Sequence, residues 1–216
     1  MSKSIKHHLT DDLLMAYAAG NLPEAFDLMV ATHLSLCNHC RARAESFDAV
    51  GGQVLDDQAG LVAISDASLA ATMALIAQGA PTPKPARAGC SVLPTPLQDY
   101  VGGTVADIRW KSIGMGVKQA ILPTTKEATA RLLFIPAGAA VPDHGHQGKE
   151  LTMVLQGAFS DEVDHFARGD VEIADENLEH SPVADISEDC ICLAVTDAPL
   201  KFSKLMPRLF QPFLRI

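Results

Sequence analysis

The feature that most constrains this chain is a closely spaced set of metal-binding residues near its start: His33, Cys37 and Cys40. The pattern is H-x3-C-x2-C, which places one imidazole and two thiols within a short segment. Two thiolates separated by two residues can bind one zinc ion from a single turn, and His33 lies one helical turn before Cys37. The spacing predicts a structural zinc site to which these three side chains contribute.

A fourth ligand is expected upstream of this run. The nearest candidates are His7 and His8, which precede the apolar segment 13–19. Two other interpretations of the thiols are a buried, unreactive pair and a redox-active C-x-x-C. A redox C-x-x-C normally follows a strand in a βαβ unit, whereas the segment before Cys37 has a helical pattern. The helical context favours zinc.

The first 78 residues have the apolar periodicity of helices. Helices are predicted over about 11–19, 24–34, 37–54 and 65–78, with Gly51 and Gly52 weakening the end of the third. These helices contain few large apolar residues and can form only a small core. A bound metal would supply the stability that such a core lacks. The sequence therefore predicts a zinc-stapled helical bundle.

The fourth predicted helix has an apolar face that admits two interpretations. Its apolar side chains are Leu69, Met73, Leu75 and Ile76. They either close the helical domain or anchor an amphipathic helix in a groove of a partner protein.

A proline-rich segment separates this unit from the rest of the chain. Five of the thirteen prolines lie between residues 81 and 96. Because proline removes a backbone donor and fixes φ, neither a helix nor a central strand is expected there. From residue 101 onward, short β-like runs alternate with turn residues, which is typical of a sandwich or barrel. We predict an α + β protein with a helical domain (1–78), a linker (79–100) and a β domain (101–216).

A second set of metal-binding residues lies in the β domain. His144 and His146 alternate, so they point to the same face of an extended strand. Glu150 can return to that face after a turn, and His180 follows a further strand that begins at Gly169. Three imidazoles and one carboxylate suit zinc, iron, manganese, nickel or copper. Spacing therefore predicts a divalent metal without fixing which one.

This second set resembles the cupin family. The first cupin motif, G-x5-H-x-H-x3,4-E-x6-G, is matched throughout, at Gly138, His144, His146, Glu150 and Gly157. The second motif, G-x5-P-x-G-x2-H-x3-N, keeps only Gly169 and His180; Asp175, Asn177 and Ala184 replace its other fixed residues. The resemblance implies a jelly-roll fold with His144, His146, Glu150 and His180 as ligands, and a second hairpin that is shaped differently.

The N-terminal run resembles the zinc-binding anti-sigma domain, whose ligands correspond to His8, His33, Cys37 and Cys40, with His7 as the competing choice for the first. Followed by the linker and the cupin motif, the whole chain resembles the ChrR type of anti-sigma factor. That resemblance implies a non-catalytic inhibitor that binds a group IV (ECF) sigma factor as a 1:1 heterodimer. It also implies that the cupin-like domain is needed for release in response to singlet oxygen, with zinc as the expected metal in both domains.

Composition agrees with this interpretation. The net charge of −9 opposes direct nucleic-acid binding, which needs a basic face. No apolar run is long enough for a membrane span, and the first eight residues lack the apolar region of a signal peptide. Five cysteines, an odd number, fit a reducing cytoplasm. The rival hypothesis is a metal-dependent cupin enzyme, dioxygenase-like, with a helical appendage.

Cys190 and Cys192 alternate along one predicted strand and therefore share a face. Packing as small hydrophobic residues is the favoured interpretation, and oxidant sensing near the metal is the alternative. The role of Cys90, which lies in the linker, is open.

Overall fold

The computed structural model describes residues 4–58, 65–79, 92–142, 144–145, 147–176, 178–199 and 201–202. The predicted ligand His146 and most of the proline-rich segment lie outside these ranges. Among the described residues, no helix combines the length and the hydropathy that crossing a membrane requires.

Four helices occupy the N-terminal part of the chain: α1 (Asp11–Ala18), α2 (Glu24–Leu36), α3 (Asn38–Gln58) and α4 (Asp66–Ala77). The side chain of Thr10 caps α1 by accepting from the backbone N–H of Leu13, as helix propensities predict. Helix α3 continues through Gly51 and Gly52 to Gln58, beyond its predicted end near residue 54. Each glycine costs about 1 kcal/mol relative to alanine but removes no hydrogen bond, so the helix is not broken.

A helix that the sequence analysis did not predict, α5 (Thr95–Val101), lies at the end of the proline-rich segment. Pro96 stands in its first turn, where a missing N–H leaves no hydrogen bond unmade. Gly102, at a φ of 80°, ends the helix in the left-handed conformation. The expectation that no helix runs here is therefore wrong at this end. Proline is excluded from the interior of a helix but not from its first turn.

Beyond α5 and a 3-10 turn at Val105–Asp107, the chain forms antiparallel strands. They are β1 (Lys111–Gly114), β2 (Val117–Ile121), β3 (Thr129–Ile135), β4 (His144–Gly145), β5 (Glu150–Gln156), β6 (Ala158–Ser160), β7 (His165–Ala167), β8 (Val171–Ala174), β9 (Glu179–His180), β10 (Val183–Ala184), β11 (Cys190–Thr196) and β12 (Lys201–Phe202). The main sheet has the order β1-β2-β3-β11-β5-β8, and two three-stranded sheets have the orders β10-β6-β7 and β12-β4-β9. Among the described strands the three sheets do not close into one continuous barrel.

The two faces of the main sheet belong to different cores. Leu193 pairs with Leu132 on one side and with Met153 on the other, and all three pack in one cluster with the N-terminal helices and α5. Cys192, which precedes Leu193 on β11, points to the opposite face and packs in a second, smaller cluster. Strand β11 is buried along its whole length, because both of its faces are covered.

Helix α2 joins the helical part to the β domain. It lies against β3, β5, β11 and α5, and it also contacts α1 and α3. Seven of its side chains are buried, including Met29 and Val30. A helix that is covered on so much of its circumference belongs to the centre of a protein. The helical part and the β domain therefore share a hydrophobic core.

Helix α4 contrasts with α2. None of its residues is buried, although its mean hydropathy is higher. Its four large apolar side chains, Leu69, Met73, Leu75 and Ile76, are each 57–66% exposed.

The shared core predicts that a cavity in α2 destabilises the β domain. Met29→Ala should lower the free energy of unfolding by about 2–5 kcal/mol, because the side chain is fully buried. The measurement is denaturant unfolding followed by Trp110 fluorescence; Trp110 packs on Phe134 in the β domain and is the chain's single tryptophan.

The matched control is Met73→Ala on the exposed helix α4, which should change stability by about 0.5 kcal/mol or less. An unchanged Trp110 transition in Met29→Ala would show that α2 and the sheet do not share a core.

Candidate metal centres

The N-terminal cluster has the dimensions of a tetrahedral zinc site. His8 Nδ1 lies 3.3 Å from Cys37 Sγ and 3.5 Å from Cys40 Sγ. With His33 included, one ligand atom from each of the four residues lies within 4.8 Å of the others. Zn–N bonds of about 2.0 Å and Zn–S bonds of about 2.3 Å at tetrahedral angles place N and S about 3.5 Å apart. The spacing between the side chains therefore fits one zinc ion.

Three segments bring these ligands together. His33 occupies the last turn of α2, and Cys40 the first turn of α3. Cys37 lies between the two helices with an extended backbone, which turns its thiol toward the backbone N–H of Cys40. His8 belongs to the segment before α1. The H-x3-C-x2-C spacing thus spans a helix–helix junction and not one continuous helix.

His33 carries the observation that most directly favours a metal. Its side chain is fully buried, and its Nδ1 lies 3.0 Å from the carbonyl oxygen of Gly169. Its Nε2 is buried without a hydrogen-bond partner. Burial lowers the pKa of His33 to about 4, so the imidazole is neutral. A neutral imidazole whose Nδ1–H donates to a carbonyl presents the lone pair of Nε2, which is the form that binds zinc.

The thiols also fit a bound cation. Burial raises the pKa of the Cys40 thiol to about 11. A thiolate at this position therefore needs a positive charge beside it, which zinc supplies.

Of the two upstream candidates, the structure brings His8 to the cluster and not His7. His7 turns toward the β domain: its Nε2 lies 3.1 Å from Asp164 Oδ2, and its ring packs on Phe166 at 4.4 Å between centroids. His39, inside the C-x-x-C, is exposed beside the ring of His8.

In the β domain, two of the predicted ligands face each other directly. His144 on β4 pairs with His180 on β9, and their Nε2 atoms lie 3.2 Å apart. Two imidazole nitrogens bound to one tetrahedral metal at 2.0–2.1 Å lie about 3.3 Å apart. Glu150 begins β5 and is buried. The fourth predicted ligand, His146, lies outside the described residues.

Both histidines are oriented through Nδ1. In His144, Nδ1 lies 2.9 Å from the carbonyl oxygen of Pro142. In His180 it lies 2.9 Å from Glu172 Oε1 and 3.1 Å from Asp161 Oδ2. Such partners commonly orient metal-binding imidazoles so that Nε2 faces the metal.

The sequence analysis did not identify Asp161 and Glu172 as residues of this site. Asp161 lies in neither cupin motif. Glu172 gave one signal, a charged residue inside an apolar strand-like run. These carboxylates and His180 also lie close enough together to bind a cation themselves.

The ionisation of this trio depends on burial and mutual hydrogen bonds. Burial raises the pKa of Glu172 to about 7. Burial disfavours charge on His180, but its hydrogen bond to Glu172 prevails and raises its pKa to about 9. Asp161 is also buried, but it accepts hydrogen bonds from Glu172 and from backbone N–H groups, so its pKa falls to about 2. Asp161 and Glu172 therefore form charge-assisted hydrogen bonds with Nδ1 of His180.

Cys190 and Cys192 lie on the inner face of β11 with their sulfur atoms 3.4 Å apart. Both are fully buried in the smaller apolar cluster. The hydrogen bond that the Cys192 thiol makes with Cys190, together with burial, raises the pKa of Cys192. They are packed as small apolar side chains, which is the favoured interpretation of their spacing.

Comparison with known proteins covers both the helical part and the β domain. A family profile described as the ChrR cupin-like domain matches residues 98–200. The anti-sigma-E factor ChrR of Cereibacter sphaeroides is 60% identical over 213 residues, which cover 99% of this chain and 100% of that protein.

A solved structure is similar over most of the chain. It is the crystal structure of Rhodobacter sphaeroides SigE in complex with the anti-sigma ChrR, with 58% identity and a TM-score of 0.79. The match covers 90% of this chain and 100% of the solved one. A relative this similar over its whole length shows the family, and this chain belongs to the ChrR family of anti-sigma factors.

Proposed function

We propose that this protein is a cytoplasmic anti-sigma factor that binds a group IV (ECF) sigma factor through its N-terminal zinc domain. The observation that carries the proposal is the 60% identity, over the whole chain, to the anti-sigma-E factor ChrR. The related solved structure is itself a complex of ChrR with SigE. Inhibition of this kind works by covering surfaces that the sigma factor needs for RNA polymerase, and it requires no catalytic residue.

Helix α4 is the proposed anchor for the sigma factor. Its apolar side chains are not part of the core formed by the described residues, which supports the docking interpretation over the one in which they close the helical domain. An exposed helix whose apolar side chains enter a groove of the partner is a common mode of recognition. The net charge of −9 would complement a basic surface on the partner and would speed association. We propose a 1:1 heterodimer without direct contact to nucleic acid.

The two clusters have different proposed roles. Zinc bound by His8, His33, Cys37 and Cys40 would hold the segment before α1 and the α2–α3 junction together, and so would fix the helices that present α4. A second divalent metal, which we propose to be zinc, would be bound in the β domain by His144, His146, Glu150 and His180. We propose that this second site is needed for release of the sigma factor after singlet-oxygen stress.

The zinc proposal is tested by replacing both thiols. Cys37→Ser plus Cys40→Ser should remove the N-terminal zinc and abolish retention of the cognate sigma factor in a pull-down. Structural zinc contributes about 10–16 kcal/mol to the folding of small zinc domains, so its loss should unfold this cluster. Metal content is measured by atomic absorption.

The control is His39→Ala, which changes an exposed histidine inside the same motif and should leave zinc and sigma binding intact. If the double serine variant retains the sigma factor as well as the wild type does, the zinc domain is not what holds it.

The role of α4 is tested by placing a charge on its exposed apolar face. Ile76→Asp should weaken sigma binding at least 100-fold, because burying an unpaired carboxylate in an apolar groove costs several kcal/mol. Binding is measured by fluorescence anisotropy with labelled sigma factor, and the thermal midpoint should stay unchanged.

Ile186→Asp is the matched control on the β domain, where the side chain is 86% exposed. Equal sigma affinities for the two aspartate variants would exclude α4 as the anchor.

The β-domain site is tested through release. His144→Ala should abolish induction of a sigma-dependent reporter after singlet-oxygen exposure and should leave inhibition in unstressed cells intact. His165→Ala, an exposed histidine of the same domain, is the control. Loss of inhibition in unstressed cells would show instead that the β domain helps to hold the sigma factor.

A further inference from the structure

The turn between β7 and β8, residues 168–170, reaches from the β domain to the zinc cluster. The carbonyl oxygen of Gly169 is the partner of His33 Nδ1, at 3.0 Å and 136 residues away in sequence. Gly169 has a φ of 91°, and a Cβ at this position would lie 2.6 Å from Ile5 Cδ1. Its backbone N–H donates to the carbonyl of Val154 at 2.8 Å, which ties the turn to the main sheet. The turn is therefore held closely on both sides.

Asp170, the next residue, binds the segment that carries the other zinc-binding histidine. Its carboxylate is buried, and its Oδ1 accepts from the backbone N–H groups of Lys6 at 2.6 Å and of His7 at 2.9 Å. Its Oδ2 accepts from the N–H of Ala167 at 2.9 Å. Hydrogen bonds to an ionised acceptor are roughly twice as strong as neutral ones. The residues directly before His8 are thus fixed by the β domain.

A backbone pairing extends this grip. The N–H of Val171 donates to the carbonyl of His7 at 3.2 Å, so residues 6 and 7 lie along the start of β8. The next residue of the same strand, Glu172, is hydrogen-bonded to His180 of the second cluster. Strand β8 therefore contacts both the residue before His8 and the second cluster.

We propose that the β7–β8 turn is part of the zinc centre, with Gly169 and Asp170 as positioning residues that hold His33 and His8, so that the β domain controls how firmly zinc is retained. The inference rests on the proposed zinc site and deepens the proposed function, because it assigns to the β domain a physical hold on the domain that binds the sigma factor. Loss of a partner that orients a metal ligand typically costs 10–100-fold in metal affinity.

The experiment measures zinc release from the full-length chain to a chromogenic chelator. The N-terminal site is identified as the kinetic phase that is missing from the Cys37→Ser plus Cys40→Ser chain. Asp170→Asn should accelerate this phase about 10–100-fold. The amide is uncharged, and its NH2 group cannot accept a hydrogen bond, so the three backbone N–H bonds to residue 170 are weakened or lost. Asp170→Glu, which keeps the carboxylate, should recover part of the loss.

The matched control is Asp164→Asn, which removes an exposed partner of the His7 side chain and leaves the backbone of residues 6 and 7 bound. It should change the release rate less than twofold. Equal release rates for Asp170→Asn and the wild type would overturn the proposal, and so would equal acceleration by the two asparagine variants.

A measurement on the unmodified chain covers the case in which Asp170→Asn does not fold. Long-range ¹H–¹⁵N correlation spectra of the zinc-loaded protein should show His33 protonated at Nδ1 and metal-bound through Nε2. Zinc on Nδ1 of His33 would overturn the proposal. Neither measurement involves the sigma factor, so failure of the wild-type chain to bind sigma would count against the proposed function alone.

Discussion

The burial of helix α2 between the other helices and the main β-sheet is the interaction on which the rest of the structure depends. Its side chains meet Leu132, Met153 and Leu193 of the sheet in one apolar cluster. Because α2 ends at the zinc cluster, its position in the core also determines where His33 lies. A small helical unit that could not bury enough surface alone is thereby stabilised by the sheet as well as by its metal ligands. The helices in turn cover one face of the main sheet.

Three histidines that contribute Nε2 to a candidate metal centre are oriented in the same way. In His33, His144 and His180 the Nδ1 atom is engaged by a carbonyl or a carboxylate, and Nε2 faces the cluster. The partner differs in kind. Backbone carbonyls orient His33 and His144, whereas His180 is oriented by side chains that titrate. The two centres therefore share their geometry but differ in the charge that surrounds them.

Sequence spacing indicated the part of the N-terminal cluster that is local in the chain. The H-x3-C-x2-C pattern placed His33, Cys37 and Cys40 together, since helix and turn geometry relate residues three and four apart. It left His7 and His8 as alternatives, because the choice depends on contacts with Asp164 and Asp170 more than 150 residues away. Spacing cannot reveal such partners. For the same reason it did not indicate the packing of α2 on the sheet or the carboxylates beside His180. Helix α5 was missed because its prolines were weighed without their position in the helix.

We propose that zinc bound by His8, His33, Cys37 and Cys40 maintains the surface that holds a sigma factor. Native mass spectrometry of the complex with the cognate ECF sigma factor tests it most directly, because metal content and partner are read from the same ion. We expect a 1:1 complex that contains zinc and that dissociates as a chelator removes the N-terminal ion. A complex that keeps its sigma factor after that zinc has been lost would show that zinc does not maintain the binding surface.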